Sequence, residues 1–435
     1  MKMRINLSAS GLFKLVHAGL EKIKDFRADN QKVTLVDALM SAFAMFSLKD
    51  ASLLAFDGHR SGEDENLKRL YGIQTIPCDT QMRTILDEVD PEGIRPIFKD
   101  IFRELQRGKV LQKMVFMEGS YLLSLDGTGY FSSNKVHCPS CLEKKSRKTG
   151  EISSTHQLLG GAIVHPDHAE VIPFAPEPII KQDGKSKNDC ERNAAKRFLE
   201  KLRQDHPHLP LIIVEDGLSS NAPHIAELQK YGLHYILGVK PGDHKFLFEY
   251  VAQAQQAGQT SAFECEIKGT LHRFCFINQV PLNESNPDLL VNFVEYWEIK
   301  PGKTRHFSWV TDFSVTTANV FQIMRAGRAR WKVENETFNT LKNQGYHFEH
   351  NFGHGTKNLS VVFAMLMMLA FLVDQTQQLS SKLFQSVLNK EACRIRLWEH
   401  MRALFYTFKF TCMEEIYTAL LYGFSRTQAV ILKPP

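Results

Sequence analysis

Two apolar runs in this chain end in the same way, and together they restrict the fold more than any other feature. In YLLSLDGTGYFSS (121–133) the apolar residues stop at Asp126, before Gly127, and the stretch reads as a strand ending in a glycine-rich turn. In PLIIVEDGLSSN (210–221) they stop at Asp216, before Gly217. Runs that are apolar without alternation suit strands covered on both faces. Around them lie two further strands, HQLLGGAIVHP (156–166) and HYILGVK (234–240). An amphipathic helix, NDCERNAAKRFLEKLRQDHP (188–207), and a short one, APHIAELQKYG (222–232), fall between strands. This alternation predicts an α/β fold with a parallel or mixed sheet and helices packed on it. In such sheets chemistry gathers at the carboxyl ends of parallel strands, where both aspartates stand. Taken singly, an aspartate before a glycine is an ordinary turn signal.

The flanks differ in character. Residues 1–115 read as a helical domain that could bind DNA, although no strict helix-turn-helix pattern emerges. VDALMSAFAMFSL (36–48), CDTQMRTILDEVD (78–90) and IRPIFKDIFRELQRGK (94–109) are its helices. A catalytic domain is expected over 116–350, interrupted at about 241–305 by a β-rich insertion. HFSWVTDF (306–313) reads as a strand that rejoins the sheet, and 351–435 return to helices. The run LSVVFAMLMMLAFLV (359–373) falls short of the roughly 20 residues a membrane span needs, so a buried helix is expected. No signal peptide is read at the N-terminus. Eight thinly spread cysteines suit a reducing cytoplasm. A net charge of +5 is compatible with a polyanionic partner. No G-x4-G-K-[ST] loop implies ATP, and Ser219–Ser220 lacks the context of a hydrolase nucleophile.

One helix carries an anomaly. RARWKVENETFNTLKNQG (328–345) reads as part of a helix capped by Thr316 or Thr317 and ending at Gly345. At about 100° per residue, Glu334 falls inside the apolar arc of Val320, Ile323, Trp331, Phe338 and Leu341, whereas Glu336 faces away. Arg330 and Lys342 flank the same face. A carboxylate aimed into a core needs a cation, donors or a metal. An Arg330–Glu334 pair at the core edge is the ordinary solution. Convergence of Asp126, Asp216 and Glu334 at one sheet edge is the other, and their mutual repulsion calls for divalent cations. Oxygen donors suit Mg²⁺ or Mn²⁺, and two such ions would serve phosphoryl transfer.

The order Asp126, Asp216, β-rich insertion, Glu334 resembles that of the DDE transposases of bacterial insertion sequences. The likeness is closest to the group with the signature Y-x2-R-x3-E-x6-K. Arg330-Trp331-Lys332-Val333-Glu334 reproduces R-x3-E, and SLDGTG and VEDG belong to the same resemblance, which spans about 115–350. Two departures stand out: Gly327 holds the tyrosine position, and Lys342 follows Glu334 by eight residues where the pattern has seven. The resemblance implies a ribonuclease-H-like mixed sheet with catalytic, metal-binding Asp126, Asp216 and Glu334. It implies two Mg²⁺ or Mn²⁺ ions, and DNA phosphates held by Arg330 and Lys342. It further implies cleavage at element ends and strand transfer into target double-stranded DNA, by a homodimer acting at the nucleoid in a bacterial cytoplasm, with no membrane. A non-catalytic DNA-binding protein on the same fold, or a ribonuclease-H-like nuclease, is the alternative.

Cys138-Pro-Ser-Cys141 has the C-x2-C form of a zinc knuckle, which Cys190 and His156 could complete. Ordinary reduced cysteines are the other reading. His347, His350 and His354 are irregularly spaced and suit hydrogen bonding or phosphate contact better than coordination. Asp183 and Asp189 read as loop and cap residues.

Overall fold

A computed structural model describes residues 5–28, 31–60, 65–146, 148–181 and 190–423, so Asp183 and Asp189 lie outside the described residues. In chain order, the first helices are α1 (Ala9–Leu20), α2 (Leu35–Leu48), α3 (Leu53–Arg60), α4 (Glu65–Tyr71), α5 (Asp79–Asp87) and α6 (Arg95–Arg107). The strands β1 (Tyr121–Ser133), β2 (Leu142–Lys145), β3 (Ile152–Val164), β4 (Ile172–Pro173) and β5 (Glu177–Ile179) follow. Then come α7 (Glu191–Asp205), β6 (Leu211–Glu215), α8 (Ala222–Lys230), β7 (His234–Gly238) and α9 (Lys245–Gln256). Next are β8 (Ser261–Ile267), β9 (Thr270–Asn283), β10 (Asn286–Lys300), β11 (Lys303–Thr311) and α10 (Val320–Ala329). The chain closes with α11 (Asn339–Asn343), α12 (Leu359–Ser380), α13 (Lys382–Glu391), α14 (Arg394–Thr407) and α15 (Met413–Tyr422).

Two compact units result. One is helical and joins residues 1–110 and 340–435 with the short stretch 136–139; the other holds residues 111–135 and 140–339. The two helical flanks, separate in the sequence reading, therefore belong to one unit, and the sheet unit ends at 339 rather than 350. The sheet is mixed, in the order β2-β3-β1-β6-β7-β11-β10-β9-β8. β1 pairs antiparallel with β3 but parallel with β6, and β6 is parallel to β7. β11 returns beside β7, as its apolar SWV segment requires. The insertion adds strands to the same sheet rather than forming a separate β body. Its first stretch corrects the sequence reading: Lys245–Gln256 is helix, burying Leu247, Val251 and Ala254 at helical spacing.

α12 is longer than its apolar core suggested. It runs for 22 residues, long and apolar enough to cross a membrane, and its window is wholly buried among other helices. Its N-cap, Asn358, makes no side-chain capping bond. Asp87 at the end of α5 does the work instead, accepting from the amides of Thr356, Lys357, Asn358 and Leu359 at 2.9–3.0 Å. Burial raises the Asp87 pKa, but these amides outweigh it and hold the carboxyl below its usual range. A depressed carboxylate contributes stability that is full above the unfolded pKa, near 3.9, and is lost as pH falls through the folded value. Asp87→Ala is expected to lower stability by about 0.5–2 kcal/mol at neutral pH, with a smaller difference near pH 3, read by urea unfolding at both pH values. An equal difference at both would contradict the capping role.

Candidate catalytic site

The register of the parallel pair places the two aspartates. Ser124 of β1 lies opposite Val214 of β6, so the same register carried two residues on brings Asp126 of β1 beside Asp216, the first residue past the end of β6. β1 does not turn at Gly127, as the sequence suggested; it continues through Gly127 and Gly129 to Ser133, with an irregularity between Gly129 and Phe131. Asp126 accepts from the Gly127 amide at 2.9 Å, and Asp216 accepts from the Leu218 amide at 2.9 Å. Both line a cavity of about 660 Å³, together with Glu191, Glu215, Asn221 and His224.

Burial pushes Asp126 up to about 6; Glu191 and Asp216 add to the rise, while Arg330 and the Gly127 amide oppose it. Glu191 is also raised, by burial and by Asp216 and Glu215. Glu215 is held differently. His224 Nε2 lies 2.6 Å from its carboxylate, and this partner raises the imidazole against the downward pull of burial. An all-oxygen set with clustered negative charge fits a hard divalent cation such as Mg²⁺ or Mn²⁺. Glu191, Glu215 and His224 were missed in sequence. Only the first turn of an amphipathic helix and the doublet Glu215–Asp216 pointed there.

The helix bearing Arg330 and Glu334 crosses this edge. Ser124 Oγ donates to the Arg330 carbonyl at 3.0 Å, and Arg330 Nη1 lies 3.7 Å from Asp126 Oδ2. The guanidinium also covers the ring of Trp331, 4.5 Å away. Arg330 is thus paired with Asp126, not closed on Glu334. Neither threonine caps the helix: Asn319 is its N-cap, with Asn319 Oδ1 accepting from the Thr316 amide. Gly345 does adopt the left-handed conformation, φ 91°.

The helix is not regular. Val333–Phe338 form a π turn, in which the Asn339 amide reaches back five residues to the Glu334 carbonyl. The turn packs against β1 and β3, with Phe338 over Gly160. Glu334 is half-buried within it and does not line the cavity of the two aspartates. A π turn takes up one residue more than an α turn. Such a turn can accommodate the extra residue between Glu334 and Lys342. Lys342 itself pairs with Glu349 at 3.0 Å.

Gly327, where the signature has tyrosine, has a physical cause. The Trp309 indole from β11 occupies the space a Cβ would need. Gly327→Tyr is therefore expected to overpack this contact and cost roughly 1–3 kcal/mol in urea unfolding. Unchanged stability would show that Trp309 gives way freely.

Residues 175–372 match the family model of the transposase DDE domain. The match supports a DDE transposase family and transposase-type activity, with the DNA binding that this implies. DDE transposases typically use a divalent metal. No curated protein matches the chain. Asp216, Arg330, Glu334 and Lys342 fall inside the matched DDE domain; Asp126 lies ahead of it and is placed by strand register.

The four residues read as a zinc set are distributed differently. In the sheet unit, Cys141 Sγ lies 3.5 Å from His156 Nε2. Cys190 instead lines the acidic cavity. In the helical unit, Cys138 and His354 offer ligand atoms within 4.8 Å of each other. Each pair has sulfur–nitrogen donors of the kind zinc uses.

Proposed function

We propose that this chain is a DNA transposase of the insertion-sequence type with a ribonuclease-H-like core. It cleaves phosphodiester bonds at element ends and joins them to target DNA. The observation that carries this reading is that Asp126 on β1 and Asp216 at the end of the parallel strand β6 line one cavity, in a chain matching a transposase DDE domain. Asp126, Asp216 and Glu334 would hold two Mg²⁺ or Mn²⁺ ions. When bound, these ions activate an oxygen nucleophile and stabilise the leaving oxygen.

The chain's own residues supply the frame. The Gly127 and Leu218 amides fix the two aspartates. Arg330, stacked on Trp331, presents a planar fork for a phosphate oxygen beside Asp126. Lys342 is assigned to a phosphate as a point charge. In the first step water bonds to phosphorus as the bridging 3′ oxygen leaves. In the second, that 3′-hydroxyl attacks a target phosphodiester, whose own bridging oxygen leaves. Neither step needs a covalent protein–DNA intermediate. A homodimer acting on both element ends, at the nucleoid of a bacterial cell, completes the reading.

The test is Mg²⁺-dependent nicking of a supercoiled plasmid carrying the DNA that flanks the coding sequence. Asp126→Asn and Asp216→Asn are each expected to reduce the rate by at least ~10³-fold, about 4 kcal/mol. Undiminished nicking by either variant would overturn the assignment. A wild type that binds DNA with steep salt dependence but cuts nothing would point to a non-catalytic DNA-binding protein.

A further inference from the structure

Glu191 is the first residue of α7, and Cys190 before it offers no side-chain cap. Its carboxylate lies over the backbone of Gly127, in the space where any other residue would carry its Cβ. That approach sets a third acid beside Asp126 at the rim of the cavity that Asp216 also lines. Glu215, the remaining acid there, is already engaged by His224. Among the described residues no cation or donor is paired with the Glu191 carboxylate.

We infer that Glu191 is a further metal-binding residue of this site, taking a divalent cation together with Asp126 and Asp216. The inference rests on the metal-dependent reading above. An acid at a helix N-terminus has an ordinary role as well, complementing the helix dipole, and that role acts on stability alone. The two are separated by a readout other than turnover.

The experiment titrates Mn²⁺ into the full chain without DNA and follows the free ion by electron paramagnetic resonance, with thermal unfolding measured in parallel. Glu191→Gln is expected to bind Mn²⁺ at least tenfold more weakly than wild type with an unchanged unfolding temperature. Glu191→Asp, which keeps the charge, is expected to fall between. Asp126→Asn and Asp216→Asn should abolish binding. Wild-type affinity in Glu191→Gln, with binding lost in the aspartate variants, would overturn the inference and leave the site's reading standing. A lowered unfolding temperature with intact affinity would assign Glu191 to the helix alone. Binding unaffected in all three variants would remove both the inference and the metal-dependent reading.

Discussion

Replacing Lys49 by methionine is expected to destabilise the helical unit by roughly 3–5 kcal/mol, the usual cost of stranding one member of a buried ion pair. Lys49 ends α2 and is 1 % exposed. Its Nζ lies 2.5 Å from Asp374 of α12 and donates to the Ser47 carbonyl at 2.7 Å. The Tyr346 hydroxyl donates to the same Asp374 oxygen at 2.7 Å. The ammonium also sits over the Trp398 ring of α14, 3.9 Å from its centre. One charge thus ties an N-terminal helix to two C-terminal ones. Burial lowers the Lys49 pKa, against the pull of Asp374, so the pair survives only because each member neutralises the other. Urea unfolding of Lys49→Met, of Asp374→Leu and of the double variant separates pair from packing. The double variant is expected to recover much of the single-variant loss, because it strands no charge. A double variant as unstable as the sum of the singles would show that the pair carries no coupling.

The second large effect distinguishes two glutamates. Glu334→Gln is expected to reduce Mg²⁺-dependent nicking at least ~10³-fold, and Glu336→Gln by less than about threefold, a difference near 3 kcal/mol or more. Both residues lie in the π turn that packs on β1 and β3, and both are half-buried. Glu334 has the R-x3-E spacing from Arg330, whose guanidinium faces Asp126. The reverse result would move the third acid to Glu336 and make Glu334 a residue of the helix face.

Much of the sheet could be read from the chain because its strands are short apolar runs bounded by turn residues. β6 and β7 are placed within a few residues of their sequence limits, and the two aspartates come to one cavity because the parallel strands β1 and β6 share one direction. What escaped reading depends on contacts distant in sequence. KFLFEYVAQ is aromatic enough to pass for a strand, yet its buried positions recur at helical spacing. A regular helical wheel loses phase at Val333, since a π turn leaves no mark in composition. Gly327 departs from the signature because Trp309, eighteen residues earlier, fills the space of its side chain, a contact no local pattern reveals. The union of the two helical flanks rests on pairs such as Lys49–Asp374, which no local pattern announces. Glu191 reaches the site only through the crossing of α7 over Gly127.

The most direct measurement is a crystal of this chain soaked in Mn²⁺ and examined by anomalous scattering. Manganese is expected at about 2.1 Å from carboxylate oxygens of both Asp126 and Asp216, with Glu334 turned to the same ions. Manganese absent from the two aspartates, with the Arg330 guanidinium still paired to Asp126, would contradict that prediction.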